Sequence, residues 1–455
     1  MAYTHHNHIF SSGSCPFRLL FLQAILLSGA LFLSPNSGYA AVVEDSNAKF
    51  QATYVWQTKD AFSADYSGAH SLSTQHEKSY SYTMTAAFGF RPWAGGEIYF
   101  DPEAAQGIPL SNLTGLGGFT NGEIARTAGP RLAVYTARLF LRQSWGMGGD
   151  SEIVESDFNQ LAGRVDRRRL VWTVGNLAVS DIFDNNAYNH DPRTQFLNWS
   201  IMNQGAYDYA ANARGYSWGT ALEWYRDNWA MRIGRFIQPN LPNQSSLDSN
   251  IFQHYGDQIE AEHSHTIASQ PGKLRLLAFR NRAVMARYQD ALVLAAATGT
   301  TPDLNAVRSG NQIKYGFGLN IEQALSDDIG VFARAGWADG NTETYAFTEI
   351  DQSASAGTLI KGTAWGRTGD NVGVAFACNE LSAAHRHYLA AGGLGFFIGD
   401  GQLNYQPEMI VESFYNLQAM KYAWLTLDWQ YIRNPAYNAD RGPVNVATLR
   451  LHTEF

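Results

Sequence analysis

The chain has 455 residues, of which 45% are hydrophobic, 13% aromatic and only 16% charged, against about 25% charged in an ordinary soluble domain. That hydrophobic content excludes a disordered chain. The mean hydropathy of −0.26 does not suit a bundle of apolar membrane helices, and the net charge of −8 does not suit general nucleic-acid binding.

The first predicted element is an export signal. Arg18 precedes an apolar run from Leu19 to Leu33, and small residues follow at Gly38 and Ala40. The run is shorter than the ~20 residues a spanning helix needs, so the pattern predicts cleavage after Ala40. Residues 1–40 are then a signal peptide and residues 41–455 a single β-barrel domain. Cys15 leaves with the signal, and Cys378 alone can form neither an internal disulfide nor a zinc site.

Beyond residue 40 no apolar run is long enough for a spanning helix, and segments of period two recur instead. Residues 50–58 and 79–91 come first; the second sets Tyr80, Tyr82, Met84, Ala86, Phe88 and Phe90 against Ser81, Thr83, Thr85, Ala87 and Gly89. Residues 95–101 follow. Residues 133–141 then set Ala133, Tyr135, Ala137, Leu139 and Leu141 against Val134, Thr136, Arg138 and Phe140. Further segments lie at 168–178, 215–226, 228–237, 256–266, 272–281, 312–322, 329–337, 343–351, 357–366, 371–381, 404–416, 421–432 and 443–455. A bacterial outer-membrane barrel has an even strand number, so these segments predict about 16 strands, with 18 as the alternative. Tyr, Trp and Phe at the strand ends fit the aromatic girdles of such a barrel. Stretches 103–130, 181–213, 283–310 and 389–401 do not alternate. They are expected as outer loops or as segments folded inward to narrow the lumen, with a short helix in ARYQDALVLAAATG.

In the last segment Ala447, Leu449, Leu451, Thr453 and Phe455 share one face, and Arg450, His452 and Glu454 the other. A Phe closing such a strand reads as the sorting mark that barrel-assembly machinery takes up.

With the apolar face outward, the lumen face carries Arg138, Arg142, Arg232, Lys273, Arg275, Lys314, Arg334 and Arg450. Its anions are Glu223, Glu260, Glu262, Glu322, Glu408, Glu412, Asp428 and Glu454. A pore selective for one sign of ion shows a one-sign ring; a balanced lumen fits a neutral, hydroxyl-rich solute, to which Arg donates and carboxylates accept. Phe140, Phe332 and Trp424 also point inward and offer ring faces to a pyranose, so Arg334 and Trp424 join the candidate solute path. Arg138 and Arg142 stand on one face of one strand, roughly 13 Å apart at ~3.3 Å per residue. No catalytic constellation, metal site or cofactor is expected: the chain has neither G-x-S-x-G nor H-E-x-x-H, and His385 and His387, flanking Arg386, fit a solvated loop better than a metal pair.

The stretches RPWAGGEIYFDPE at 91–103, GLGGFTNGE at 115–123, PRLAVYTARLFLRQ at 130–143, VGNLAVSDIFD at 174–184, AAGGLGFFIGDG at 390–401 and NPAYNADRGPV at 434–444 resemble the OprB-type carbohydrate-selective porins of Gram-negative bacteria. The resemblance implies a barrel of about 16 strands that passes sugars across the outer membrane without energy input. It also implies a constriction of inward loops lined by Arg and acidic residues. The matching positions are Arg131, Arg138 and Arg142 in the PRLAVYTARLFLRQ strand, Glu97 and Asp101 near GEIYFDPE, and Glu123 in the inward loop. Where the family often reads GRF before DIFD, this chain has GNL at 175–177. Expected partners are monosaccharides or related polyols as transported solute and outer-membrane lipid, with no nucleic acid, in a monomer or homotrimer. The alternatives are a channel for hydroxy acids or anionic polyols, a structural barrel, or a hydrolase built on a barrel.

Overall fold

The computed structural model describes residues 43–124 and 129–455, so the expected signal peptide lies outside the described residues. Sixteen strands close into one antiparallel barrel. In chain order they are β1 (Ser46–Lys59), β2 (Glu77–Trp93), β3 (Gly96–Ile108), β4 (Ala133–Gly146), β7 (Arg169–Leu177), β8 (Ser217–Arg226), β9 (Trp229–Ile237), β10 (Tyr255–Ile267), β11 (Gln270–Val284), β12 (Asn311–Ala324), β13 (Ile329–Ala338), β14 (Gln352–Lys361), β15 (Asn371–Glu380), β16 (Glu408–Met420), β17 (Ala423–Arg433) and β18 (Val444–Glu454). A small hairpin, β5 (Ser151–Val154) and β6 (Gly163–Asp166), forms a separate two-stranded sheet between β4 and β7 in the chain. The barrel closes where β1 pairs with β18, from Gln51 opposite Glu454 to Lys59 opposite Val446. Among the described residues no helix is long and apolar enough to cross a membrane.

Alternation produces the wall. On β12 Ile313, Tyr315 and Phe317 are exposed on the outside, while Lys314, Asn320 and Glu322 are buried on the inside. On β2 Phe88 and Phe90 point out, and Ser79, Ser81, Thr83 and Thr85 point in. Exposed aromatics collect at both ends of the strands. Trp218, Tyr315 and Trp337 lie at one end and Trp93, Trp145, Trp229 and Phe455 at the other, as the two girdles of a membrane barrel do. Sixteen strands leave a lumen wide enough for water.

The two ends differ. Short turns join β2 to β3, β8 to β9, β10 to β11 and β16 to β17, whereas long connections join β3 to β4, β7 to β8, β11 to β12, β13 to β14 and β15 to β16. These carry three short helices: α1 (Trp199–Met202), α2 (Tyr288–Thr298) and α3 (Ala383–Ala390). Helix α2 falls where ARYQDALVLAAATG predicts one.

Three sequence expectations change. Residues 343–351 are not a strand but a loop between β13 and β14, buried almost throughout. The neighbouring strand starts at Gln352, earlier than the 357–366 segment. Residues 103–108 belong to β3, so the first long loop starts after Ile108.

The fourth change concerns facing. Between β3 and β4, Asp101 pairs with Arg138 but Pro102 with Thr136, which leaves Ala137 as an extra residue on β4. Proline has no N–H to give a ladder, and one extra residue inverts the alternation beyond it. Arg138 and Phe140 therefore face inward as expected, but above the bulge Tyr135 faces inward and Val134, 73% exposed, faces out. Asn176 of β7 donates to the Ala137 carbonyl at 2.8 Å, so the departure from GRF supplies an amide that satisfies the bulge. Next to it, Gly175 adopts φ +146, and a Cβ there would collide with the Leu139 carbonyl and Phe140.

Candidate functional site

The inward loops are seated by wall side chains that capture their backbone. Glu412 on β16 accepts from the amides of Leu197 (2.5 Å) and Asn198 (3.0 Å), and Glu408 from Gly117 (3.0 Å) and Gly118 (2.7 Å). Glu260 takes the amide of Asp184 and Glu322 that of Ala187, each at 2.8 Å. Arg450 donates to the carbonyls of Pro192 and Gln195 at 2.7 Å each. Asp208, on the β7–β8 loop, meets Lys314 of the wall at 3.3 Å and receives the amides of Tyr345, Ala346 and Phe347. It thereby ties the β13–β14 loop to the β7–β8 loop. Charge-assisted bonds of this kind are the strong ones, so the loops are fixed parts of the channel.

Where three loops meet the β2–β4 wall they line an open cavity of about 130 Å³. Glu103 and Tyr135 come from the wall and Glu123 from the β3–β4 loop. Arg193, Trp199, Tyr209, Arg214 and Tyr216 come from the β7–β8 loop, and Phe347 from the β13–β14 loop. Trp199 stacks on Phe347 with centroids 5.5 Å apart, and Tyr209 lies 4.8 Å from Phe347. Arg193 sits between Glu123 (3.3 Å) and Glu103 (3.6 Å). Thr83 donates to Glu123 at 2.5 Å. Glu103 receives Thr85 at 2.7 Å, Tyr135 at 2.5 Å and Tyr216 at 3.3 Å. Burial pushes the Glu123 carboxyl above its ordinary range, with Arg193 opposing. Burial works against the charge of Arg193, but Glu123, Asp191 and Glu103 outweigh it and hold the guanidinium more firmly protonated.

The structure sorts the sequence-predicted residues. Glu123 lines the cavity. Arg138 borders it, making paired bonds to Asp181 at 2.7 and 2.6 Å, facing Asp101 at 3.6 Å, and resting 5.4 Å from the ring of Tyr216. Asp101 is fully buried and also accepts from Asn159 at 2.9 Å. Arg142 and Glu97 form a second cluster toward the short-turn end. They lie 3.7 Å apart, with Arg142 bonded to the Asn159 carbonyl and Glu97 to Arg91 and Tyr99. Asn159 belongs to the β5–β6 turn, so this connection enters the lumen from the short-turn end and reaches Asp101.

Four other predicted positions lie apart from the cavity lining. Arg131 is exposed in the approach to β4 and does not line the cavity. Arg334 faces inward but is buried as an anchor, bonded to Asp184 (3.0 Å) and to the carbonyls of Asn189 and Ile201. Trp424 is on the lumen face, yet it packs 5.7 Å from His452 near the short-turn end. His385 is not in a solvated loop: it is buried on α3, bonded to Asp351 at 3.0 Å and stacked on Tyr288 at 4.3 Å. Among the described residues no group of three His, Cys, Asp or Glu is placed to hold a metal ion. The balanced lumen charges mostly pair with one another. Arg232 meets Glu223, Glu260 and Glu262, and Arg275 meets Glu262 and Glu322, all within 3.2 Å.

Sequence reasoning missed Glu103, Tyr135, Arg193, Arg214, Trp199, Tyr209, Tyr216 and Phe347. Pro102 next to Glu103 is a signal for the bulge that turns Tyr135 inward. The others lie in loops, where no period exists to assign a face.

Residues 70–455 match the carbohydrate-selective porin, OprB family. The high-pH structure of Pseudomonas putida OprB superposes with a TM-score of 0.68 at 14% identity, covering 90% of this chain and 94% of that one. The outer membrane channel DcaP of Acinetobacter baumannii gives 0.47 at 8% identity, covering 90% and 97%. The outer membrane protein OprD of Pseudomonas aeruginosa gives 0.44 at 9% identity, covering 91% and 94%. No curated protein matches the sequence. A likeness at 14% identity speaks for the barrel alone. The family match extends over most of the chain and over every strand from β2 onward, and it makes this protein an outer-membrane porin that belongs to the carbohydrate-selective OprB family.

Proposed function

We propose that the protein is a passive channel for monosaccharides or related polyols, exported with residues 1–40 removed. The observation that carries this reading is the cavity between Glu103, Arg193, Trp199 and Phe347. Its volume of about 130 Å³ is of the order of an engineered ~150 Å³ cavity that accommodates one benzene ring, which suits a single six-membered ring. Aromatic faces suit the C–H face of a pyranose, while Arg and carboxylate groups are the partners of hydroxyls, which both donate and accept. The pairing of Arg193 with Glu103 and Glu123 keeps that charge from acting as a one-sign filter. Nothing in passive diffusion needs an energy-coupling part, and the wall and loops form one hydrogen-bonded frame.

The test is single-channel current in planar bilayers while glucose is titrated. The reading expects concentration-dependent interruption of the current by glucose and weaker interruption by a trisaccharide of equal concentration. Current indifferent to every sugar would overturn it.

A further inference from the structure

Within the cavity the polar groups are unequally occupied. A carboxylate offers about four lone-pair sites. At Glu103, Oε1 already receives Tyr135 and Tyr216, and Oε2 receives Thr85 and faces Arg193. Glu123 receives Thr83 and faces Arg193 through Oε2. Arg214 is the opposite case. Its guanidinium lies 3.9 Å from the ring centroid of Tyr135, and among the described residues it makes no ion pair and none of its nitrogens donates to a protein acceptor. Nη1 is buried in that state. A buried, unsatisfied donor on a charged group is costly, and such a group needs a reason to persist.

Its placement is built. Residues 212–216 form a tight turn in which Asn212 Oδ1 accepts from the amides of Arg214 (2.9 Å) and Tyr216 (3.2 Å). The amide of Gly215, at φ +95, donates to the Asn212 carbonyl at 2.9 Å. Arg214 is thus held at the apex of a pinned turn. The ring beneath it is itself fixed by the bond from the Tyr135 hydroxyl to Glu103. A guanidinium stacked on a fixed ring keeps its planar fork of N–H groups in one orientation, the geometry that matches a carboxylate with two parallel bonds.

We infer that the preferred solute of this cavity is a monosaccharide carrying a carboxylate, a uronate or aldonate, with Arg214 receiving the carboxylate while the ring lies among Trp199, Tyr209 and Phe347. This deepens, and rests on, the reading of the chain as a monosaccharide channel. Both oxygens of Glu103 are filled while Arg214 is an open donor, so the ligand that complements Arg214 brings an acceptor-only group. A neutral sugar would leave Arg214 with single hydroxyl contacts.

The experiment uses the full chain in planar bilayers at fixed ionic strength and compares the duration of current blocks by glucuronate, glucose and acetate. It does so for wild type, Arg214→Gln and Arg214→Lys, with folding of each checked by heat-modifiable migration. The expected result is glucuronate blocks about tenfold longer than glucose blocks, the ordinary scale of one charge-assisted hydrogen bond. Acetate should produce no comparable block. In Arg214→Gln the ratio of glucuronate to glucose block duration should fall to about one, and Arg214→Lys should retain part of the advantage because it keeps the charge and loses the fork. Equal block by glucose and glucuronate in wild type, or an advantage untouched in Arg214→Gln, overturns the inference and leaves the monosaccharide channel standing. Acetate reproducing the long block reduces the site to a general anion site and also overturns it. Block by none of the three overturns the channel reading itself. Should Arg214→Gln fail to fold, Arg214→Lys decides: glucuronate block as long as in wild type contradicts the paired-bond geometry.

Discussion

At the residue scale Pro102 decides where Tyr135 points. Lacking an N–H, it breaks the ladder with β4, Ala137 becomes the extra residue, and the side chains above it exchange faces. Tyr135 then reaches Glu103, and its ring carries Arg214. Strict alternation puts Tyr135 in lipid, so the contrast with its neighbour is a direct test. In a background with Cys378→Ala, Tyr135→Cys should react from the aqueous lumen with a membrane-impermeant thiol reagent, and Val134→Cys, facing lipid, should not. The reverse pattern would remove the bulge from the account and Tyr135 from the site. Further down the same strand Leu139 faces lipid. Leu139→Arg should cost about 2–4 kcal/mol of folding stability, the scale for Arg near the bilayer midplane of a barrel. The check is the urea midpoint of unfolding in lipid, and a midpoint equal to wild type contradicts the facing. Phe140 beside it is not a free lumen position, because its ring packs 5.0 Å from Tyr99.

At the element scale the channel is a wall plus loops latched to it. Glu412→Ala would strand the buried amides of Leu197 and Asn198, at a cost of about 1–3 kcal/mol for an unsatisfied group, and would release the start of α1 with Trp199. The barrel should still form, seen as normal heat-modifiable migration, while single-channel conductance rises and becomes noisier; conductance and noise unchanged from wild type would show that this latch does not set the aperture. The seam is the other critical element. Phe455 exchanges two backbone hydrogen bonds with Phe50, at 3.0 and 2.8 Å, and its ring lies 5.3 Å from that of Phe50. Deleting Phe455 should lower the fraction of folded band on unboiled gels, and an equal fraction contradicts its role in closure. Strands were legible where the two faces differ strongly, as in β2 and β12. The segment 343–351 misled because Tyr345 and Phe347 alternate with Thr344 and Thr348 while the segment packs inside the lumen, buried on all sides. Strand β14 was displaced because Ala354 and Ala356 face out and Ser353 and Ser355 face in, a contrast too small to set a boundary. Of the site, the wall residues Arg138 and Asp101 and the loop residue Glu123 were within reach of strand facing or family resemblance. Arg193, Arg214 and Trp199 were not, because a loop's side-chain directions come from tertiary latches such as Glu412 and Arg450.

At the scale of the whole molecule, two halves of the lumen wall do different things. On β8 to β12 Arg232 and Arg275 interlock with Glu223, Glu260, Glu262 and Glu322 into a network of mixed sign, in which each guanidinium is paired with carboxylates. Across from it, β2 to β4 and three inward loops shape the aromatic cavity around Arg193 and Arg214, and the β5–β6 turn approaches beneath it through Asn159. Solute selection then follows from ring size and hydroxyl pattern, with ionic sign second. Osmotic swelling of proteoliposomes tests this most directly, comparing initial rates in isotonic glucose, a disaccharide and a trisaccharide with protein-free liposomes. The account predicts rapid swelling in glucose that depends on the protein, with a steep fall at the disaccharide and almost none at the trisaccharide. Swelling no faster than in protein-free liposomes, or equal rates for all three sugars, would contradict it.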